Sequence, residues 1–430
     1  MNPPRIDRSD FIACALLLCL LNAIIFMDIR HFAVRNLHSP LEESLQLANF
    51  IVENHQLPQT AFYPPGIPLL LALAQSLGWR EINPFTFNAV LLNMGIVLFY
   101  ALARRLLGSA RWASAAVLLM ILNPCFVSTS LLSRDTAAEF LFTGLFFLFL
   151  FGLLRNASQN RRVRVLFLVL LFLTAVVPAL VRVTEFFTIF LLFAACFLLE
   201  KSFRRAFGVL LALWIVFTLL FMLHNYRMVG SFTLATNAGT NLYLGNHPFY
   251  LHGHPHYDID AFLETERIKK EMSEDNAQGL SEAQSDAYFR GKAYESIRSN
   301  IPAFLYRILV KTVRHGFNFE TIPNYTSQAY LEGEANRIVI ESRIGLLTGL
   351  TYIIYKFLYL PLFVRSIIVL FQKKIDVRLW LFYLPYLALW PIVALTFPDT
   401  RFKIVAEVCV WIPMIATVQW RWFLREPHSR

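Results

Sequence analysis

The side chains able to do chemistry in this chain stand at the borders of apolar runs. "SRDTAAEF" places Asp135 and Glu139 four residues apart at the head of one run, so a helix there carries both on one face. Asp135 suits a helix N-cap or a first-turn charge, whereas Glu139 lies a turn deeper, where an uncompensated charge is expensive in lipid. Glu42 and Glu43 read either as a solvated helix face that complements the helix dipole or as functional acids. Arg182 and Glu185, between two apolar runs, read first as a turn ion pair, with contact to an anion as the alternative. Arg227 in "HNYR" is either an interfacial snorkelling arginine or an anion contact. Arg307, Lys311 and Arg314 recur at i, i+4 and i+7, which makes one basic stripe suited to anionic lipid groups. Arg401 in "PDTRFK" either pairs with Asp399 or holds an anion. His252, His254 and His256 alternate with Gly253 and Pro255. An extended chain puts all three on one face, where they are candidates for a zinc site or simply solvated loop histidines.

The elements that must position these groups are membrane helices. The 430 residues are 57% hydrophobic and only 16% charged, well short of the quarter or so expected of a soluble chain. Apolar runs long enough to cross a bilayer recur at Phe11–Met27, Asn83–Ala103, Trp112–Leu132, Thr136–Leu154 and Leu166–Val181. They continue at Phe186–Leu199, Phe207–His224, Leu346–Leu370, Leu379–Thr396 and Ile404–Trp420, about ten in all. Since lipid leaves backbone groups no water partners, an all-α polytopic fold follows. Three regions result: an N-terminal membrane module over 1–225 with a first outer loop at 28–83, an outer region over 226–343, and C-terminal membrane helices over 344–430.

The formal charge of +10 would suggest nucleic acid in a soluble protein, but its distribution points elsewhere. Arg104, Arg105 and Arg111 share one short loop, and Arg155, Arg161, Arg162 and Arg164 share the next. Lys201, Arg204 and Arg205, then Lys373, Lys374 and Arg378, and finally Arg421 and Arg425 complete the series. With both termini cytoplasmic, every cluster falls on the cytoplasmic side, and the acids, the histidines and both large loops fall outside. The first run reads as a retained anchor, because no small-residue cleavage site follows it. The five cysteines lie in or beside apolar runs without metal spacing and read as buried free thiols.

Each outer loop predicts an amphipathic helix. In "HSPLEESLQLANFIVENH", Leu41, Leu45, Ala48 and Val52 oppose Glu42, Gln46, Asn49 and Glu53, with Ser39 and Glu42 as a capping box. "YPPG" at 63–66 ends that surface helix and turns the chain back toward lipid. Ile67–Leu77 is too short to cross alone. In the second loop, 260–299 reads as solvated helix. "IPAFLYRILVKTVRHGFNF" reads as an interfacial helix, with the basic stripe on one side and Phe304, Ile308, Leu309 and Phe317 on the other.

The outer acidic helix followed by "YPPGIPLLLAL", the turn "SRDTAAEFLF", the segment "NYRMVGSFTLATNAGTNLYLGNHP" and the late "PDTRFK" occur in an order that resembles the GT-C glycosyltransferases using polyprenyl-phosphate sugars. Within them the chain looks most like the branch of protein O-mannosyltransferases and lipid A aminoarabinose transferases. The resemblance runs from about Asp28 to Pro413. It implies a bacterial inner-membrane enzyme that transfers a sugar, with inversion, to a glycan, lipid or protein acceptor on the outer face. No nucleic acid and no certain cofactor are implied, and a divalent metal remains a candidate. It implies that acids among Glu42, Glu43, Asp135 and Glu139 act on the acceptor hydroxyl, since a carboxylate can serve it as general base. Tyr63, Arg182, Arg227, Lys311, Arg314 and Arg401 would hold the donor phosphate, whose departing charge needs cations. The family's Asp before the surface helix falls here near Pro40, and the nearest acids are Glu42 and Glu43. A transporter or flippase of lipid-linked sugars, or a polymerase or ligase of such glycans, shares the same composition.

Overall fold

The computed structural model describes residues 8–34, 41–79, 82–123, 125–155, 160–248, 270, 279–317, 328–332, 337–341, 346–372, 376–396 and 400–425. Among the described residues, seven segments are helices long and apolar enough to cross a membrane: Arg8–Ile29, Pro84–Leu107, Thr136–Arg155, Arg161–Val181, Lys201–Val229, Ile354–Phe371 and Arg378–Leu395. The chain is a helical membrane protein. Its helices are α1 (Arg8–Val34), α2 (Leu41–Asn54), α3 (Gly66–Ser76), α4 (Pro84–Leu107), α5 (Ala110–Ile121), α6 (Phe126–Leu132), α7 (Thr136–Arg155), α8 (Arg161–Val181), α9 (Thr184–Leu199) and α10 (Arg204–Val229). There follow α11 (Ala238–Asn246), α12 (Glu282–Ser299), α13 (Ile301–Phe317), α14 (Leu346–Phe371), α15 (Leu384–Leu395), α16 (Thr400–Cys409) and α17 (Trp411–Arg425).

The three remaining expected crossings take other forms. Trp112–Leu132 divides into α5 and α6 at Asn123, which precedes Pro124 and is therefore biased out of the helical region. The Asn123 side chain accepts from the Cys125 amide at 3.0 Å, so the break has its own hydrogen bond. Ile404–Trp420 divides into α16 and α17, and α9 has only 16 residues. The sequence reading also has no strand, whereas Gln328–Glu332 pairs antiparallel with Arg337–Glu341, Tyr330 opposite Val339. The β-branched run Ile338–Val339–Ile340 favours that pairing over helix.

α7 lies at the centre. Of its span 72% is buried, against 17% for α1 and for the Lys201–Val229 segment at the periphery. Phenylalanine fills the interior: Phe99 stacks on Phe140 and Phe147 on Phe382, each at 4.4 Å between ring centres. None of the five cysteines is in a disulfide; Cys125, Cys196 and Cys409 are buried, but Cys19 is exposed on α1, contrary to the expectation of burial.

Ion pairs clamp one end of the bundle. Asp10 of α1 accepts from Arg104 Nε of α4 at 2.6 Å and from the Tyr100 hydroxyl at 3.0 Å. Glu200, just past α9, takes both Arg378 Nε at 2.6 Å and Nη2 at 3.1 Å. The basic loops thus gather at this end.

The opposite end carries the loops. α2 is amphipathic as expected, and its apolar face (Leu45, Ala48, Ile51, Val52) packs on Ile67 and Leu71 of α3. Glu282, in the first turn of α12, accepts from the Ala61 amide and the Thr236 hydroxyl, each at 3.0 Å, while the Thr236 amide donates to Ala61 O at 3.0 Å. One carboxylate so ties the first large loop to the second.

Candidate functional site

At the loop end, four separated stretches converge. The turn before α7 is set by Asn88 of α4, whose side-chain amide donates to the carbonyls of Leu131 and Ser133 at 3.0 Å each. That turn presents Asp135. Arg182, immediately after α8, grips it with a fork: Nε to Oδ2 at 3.1 Å and Nη2 to Oδ1 at 2.8 Å. The remaining nitrogen, Nη1, stands 2.5 Å from Glu139 Oε2, a charge contact without aligned hydrogen-bond geometry. The Ser133 hydroxyl adds a 2.7 Å bond to Asp135. The ion pairs of Arg182 thus run to the turn before α7 and to α7 itself, beyond the expected neighbour Glu185. That residue, 7% exposed, also faces the same guanidinium electrostatically.

Burial pushes the Asp135 carboxyl up, but the Arg182 charge and the hydrogen bonds from Arg182 and Ser133 outweigh it and hold the group below the usual carboxylate range. Burial acts against the Arg182 charge too, and Asp135 and Glu139 more than reverse it. The two groups therefore stay ionised together.

The YPPG stretch is seated directly on this cluster. A Cβ on Gly66 would stand 2.5 Å from the carbonyl carbon and oxygen of Leu180, two residues before Arg182, so the start of α3 meets the end of α8 backbone to backbone. No residue but glycine fits that approach. Tyr63 then lies under Arg134, whose guanidinium carbon is 3.5 Å from the ring centre. Arg134 Nη1 is 4.0 Å from Glu43 Oε2. Arg134 therefore turns away from Asp135, its neighbour, toward α2. Behind Tyr63 lies a small, partly open pocket lined by Leu47, Tyr63, Pro65, Phe221, His224 and Asn225, among others.

Five predicted site residues, Glu43, Tyr63, Asp135, Glu139 and Arg182, are thus brought together. Glu42 is exposed on α2 and Arg227 is exposed in the last turn of α10. Lys311 is not the surface cation that the basic stripe suggested. It is fully buried and donates to the carbonyls of Gly245 at 3.1 Å, Leu395 at 3.4 Å and Thr396 at 2.9 Å. It caps the end of α15, where helix carbonyls lack partners. Burial, aided by the charge of Arg307, presses its pKa down to about 7. α13 is therefore turned over relative to the sequence expectation: Arg307, Lys311 and His315 face protein, and Ile301, Leu305, Leu309 and Val313 face outward. Arg314 and Arg401 lie on described helices, but their side chains, like His252, His254 and His256 entirely, are outside the described residues. Among the described residues no group of three or more His, Cys, Asp or Glu is placed to hold a metal ion.

The sequence reading passed over a second buried network. Lys356 of α14 meets Glu407 of α16 at 2.7 Å, and Lys403 stands 3.8 Å from the other oxygen of Glu407. Asn123, at the break between α5 and α6, reaches the Tyr355 hydroxyl at 3.1 Å and Glu407 at 3.5 Å. Lys403 also donates to His315 O at 3.0 Å. The available signal was a lone charge within an apolar run, Lys356 in "IIYKFLY" and Glu407 in "IVAEVCV".

No protein-family model matches the chain, and no curated protein or solved structure matches it.

Proposed function

We propose that this protein is a membrane glycosyltransferase of the GT-C kind. It moves a sugar from a polyprenyl phosphate to an acceptor on the outer face of a bacterial inner membrane, with both termini in the cytoplasm. The observation that carries this reading is the meeting of Glu43, Arg134 and Tyr63 from three chain segments, backed by the Asp135–Arg182–Glu139 cluster. Such a cluster holds a solvent-reachable carboxylate beside a cation and a phenol. Glu43, with 72% of its side chain exposed, is placed to take the acceptor's proton. Arg134 and the Tyr63 hydroxyl supply the cation and donor that a leaving phosphate needs. Asp135 and Glu139 hold Arg182, which fixes the turn carrying Arg134, so they position and do not themselves react.

The test is transfer of a labelled sugar from polyprenyl phosphate by the purified chain and by Glu43→Gln, Arg134→Ala and Glu139→Gln. Loss of transfer in the first two at an unchanged melting temperature supports the reading. Wild-type rates in both would sink it. A rate lost only in Glu139→Gln would move the base to Glu139.

A transporter of lipid-linked sugars is favoured by one observation of its own. The broken pair α5/α6 meets the broken pair α16/α17 through Asn123 and Glu407, and transporters place substrate and ion sites at interrupted helices. Movement of a lipid-linked sugar across sealed vesicles without covalent transfer would select that reading.

A further inference from the structure

Three arginines of this protein can be compared by the edge of the guanidinium that joins Nε to Nη2. Arg182 presents this edge to Asp135, and Arg378 presents it to Glu200, each as a two-bond fork onto a carboxylate. Arg307 is 3% exposed, yet no group among the described residues accepts from its Nε or its Nη2. Burial opposes its charge, and a guanidinium does not shed its proton in proteins. A buried charge of this kind stands only with a counter-charge, and two parallel donors call for two oxygens on one atom.

The surroundings narrow the class of anion. Arg307 is one helical turn before Lys311 on the buried face of α13, and Lys311 is bonded to the last carbonyls of α15, which ends the membrane-length segment Arg378–Leu395. α13 is thereby anchored at the end of a membrane span. Its opposite face exposes Ile301, Leu305, Leu309 and Val313, each about half exposed, in a row of every fourth residue. A helix with an apolar outer row at that level lies at the bilayer interface, where the abundant fork-compatible anions are lipid phosphates.

We propose that Arg307 is a lipid-phosphate site, in which Nε and Nη2 donate to two oxygens of one lipid phosphate on the protein-facing side of α13. The site is carried by its own observations. It offers the transferase reading a seat for a donor phosphate but stands without any transfer chemistry.

The experiment uses the full chain, delipidated in neutral detergent, with dodecyl phosphate and inorganic phosphate as separate probes and the melting temperature as readout. Dodecyl phosphate should raise the melting temperature of the wild type by several degrees. Arg307→Leu should weaken its apparent affinity by about tenfold or more, as expected for loss of a charge-assisted fork. Arg307→Lys, which keeps the charge and loses the fork, should fall between. Without ligand, Arg307→Leu should melt no lower than wild type, because it removes a buried charge that no group among the described residues neutralises. The proposal is overturned if dodecyl phosphate leaves the wild type unmoved, or shifts Arg307→Leu and Arg307→Lys as much as wild type. An equal response to inorganic phosphate overturns the lipid assignment in favour of a free anion. Because binding is read without sugar transfer, a positive result beside an inactive transfer assay would retire the transferase reading and leave this site standing.

Discussion

Two buried cationic regions at the same end of the molecule are neutralised in different ways. Around Arg182, acids from α7 and α9 surround one guanidinium, and its fork and its third nitrogen all meet carboxylates. Along α13, Lys311 is held by neutral backbone carbonyls, and Arg307 has no carboxylate on its fork among the described residues. The first region carries its counter-charge within the chain. Among the described residues the second is one counter-ion short, which suits it to an anionic ligand. An arginine's role here is read from its partners and not from its depth.

The largest effect expected from breaking this contrast is at Arg182. Arg182→Met leaves Asp135, Glu139 and Glu185 as neighbouring buried carboxyls and should cost about 3–5 kcal/mol, read as a lowered melting temperature or denaturant midpoint in detergent. Adding Glu139→Gln to Arg182→Met should recover part of the loss; no recovery would mean that Arg182 acts through packing alone. Next is Gly66→Ala, whose methyl would collide with the Leu180 carbonyl. It should cost about 1–3 kcal/mol and lower transfer by displacing Tyr63 from Arg134. A Gly66→Ala protein with native stability and rate would show that the loop is not set by this contact.

A smaller and pH-dependent effect belongs to Lys311. Its folded pKa, about 7, lies below the unfolded lysine value of about 10.4, so above pH 7 the unfolded state binds more protons. Stability should therefore rise with pH from about 7 toward 10 in the wild type and more weakly in Lys311→Met; parallel profiles would refute the assignment. The smallest effect is at Tyr63. Tyr63→Phe keeps the ring under Arg134 and should leave stability within about 0.5 kcal/mol, whereas Tyr63→Leu should lose about 0.5–2 kcal/mol of cation–π attraction. If only the hydroxyl matters to function, Tyr63→Phe lowers transfer at unchanged stability.

Much of the candidate site was legible because its residues break a local rule. Asp135 and Glu139 are acids at the head of an apolar run, and Tyr-Pro-Pro-Gly halts one helix and starts another. Such departures from lipid-compatible sequence are visible one segment at a time. What pairs with what was not legible. Arg182 was expected to meet Glu185, three residues on, and also reaches 47 residues back to fork onto Asp135. The stripe at Arg307 and Lys311 was expected outside, because periodicity shows that a helix has two unlike faces and does not show which one packs against protein. In lipid the usual rule that charges face outward fails, since the solvent there is itself apolar.

From the sequence alone came the helical membrane class, the positions of most long apolar helices, the alternation of basic and acidic loops, and the acidic, aromatic and proline-rich marks of the loop end. These follow from composition and period, which act within a single segment. Only the tertiary structure decided that Arg182 binds two acids of α7, that Gly66 rests on the backbone of α8, that α13 turns its cations inward, and that broken helices meet at Glu407. These are contacts between segments distant in the chain. They depend on which of several compatible helix faces meet, a choice made by side-chain packing and charge pairing across the whole bundle.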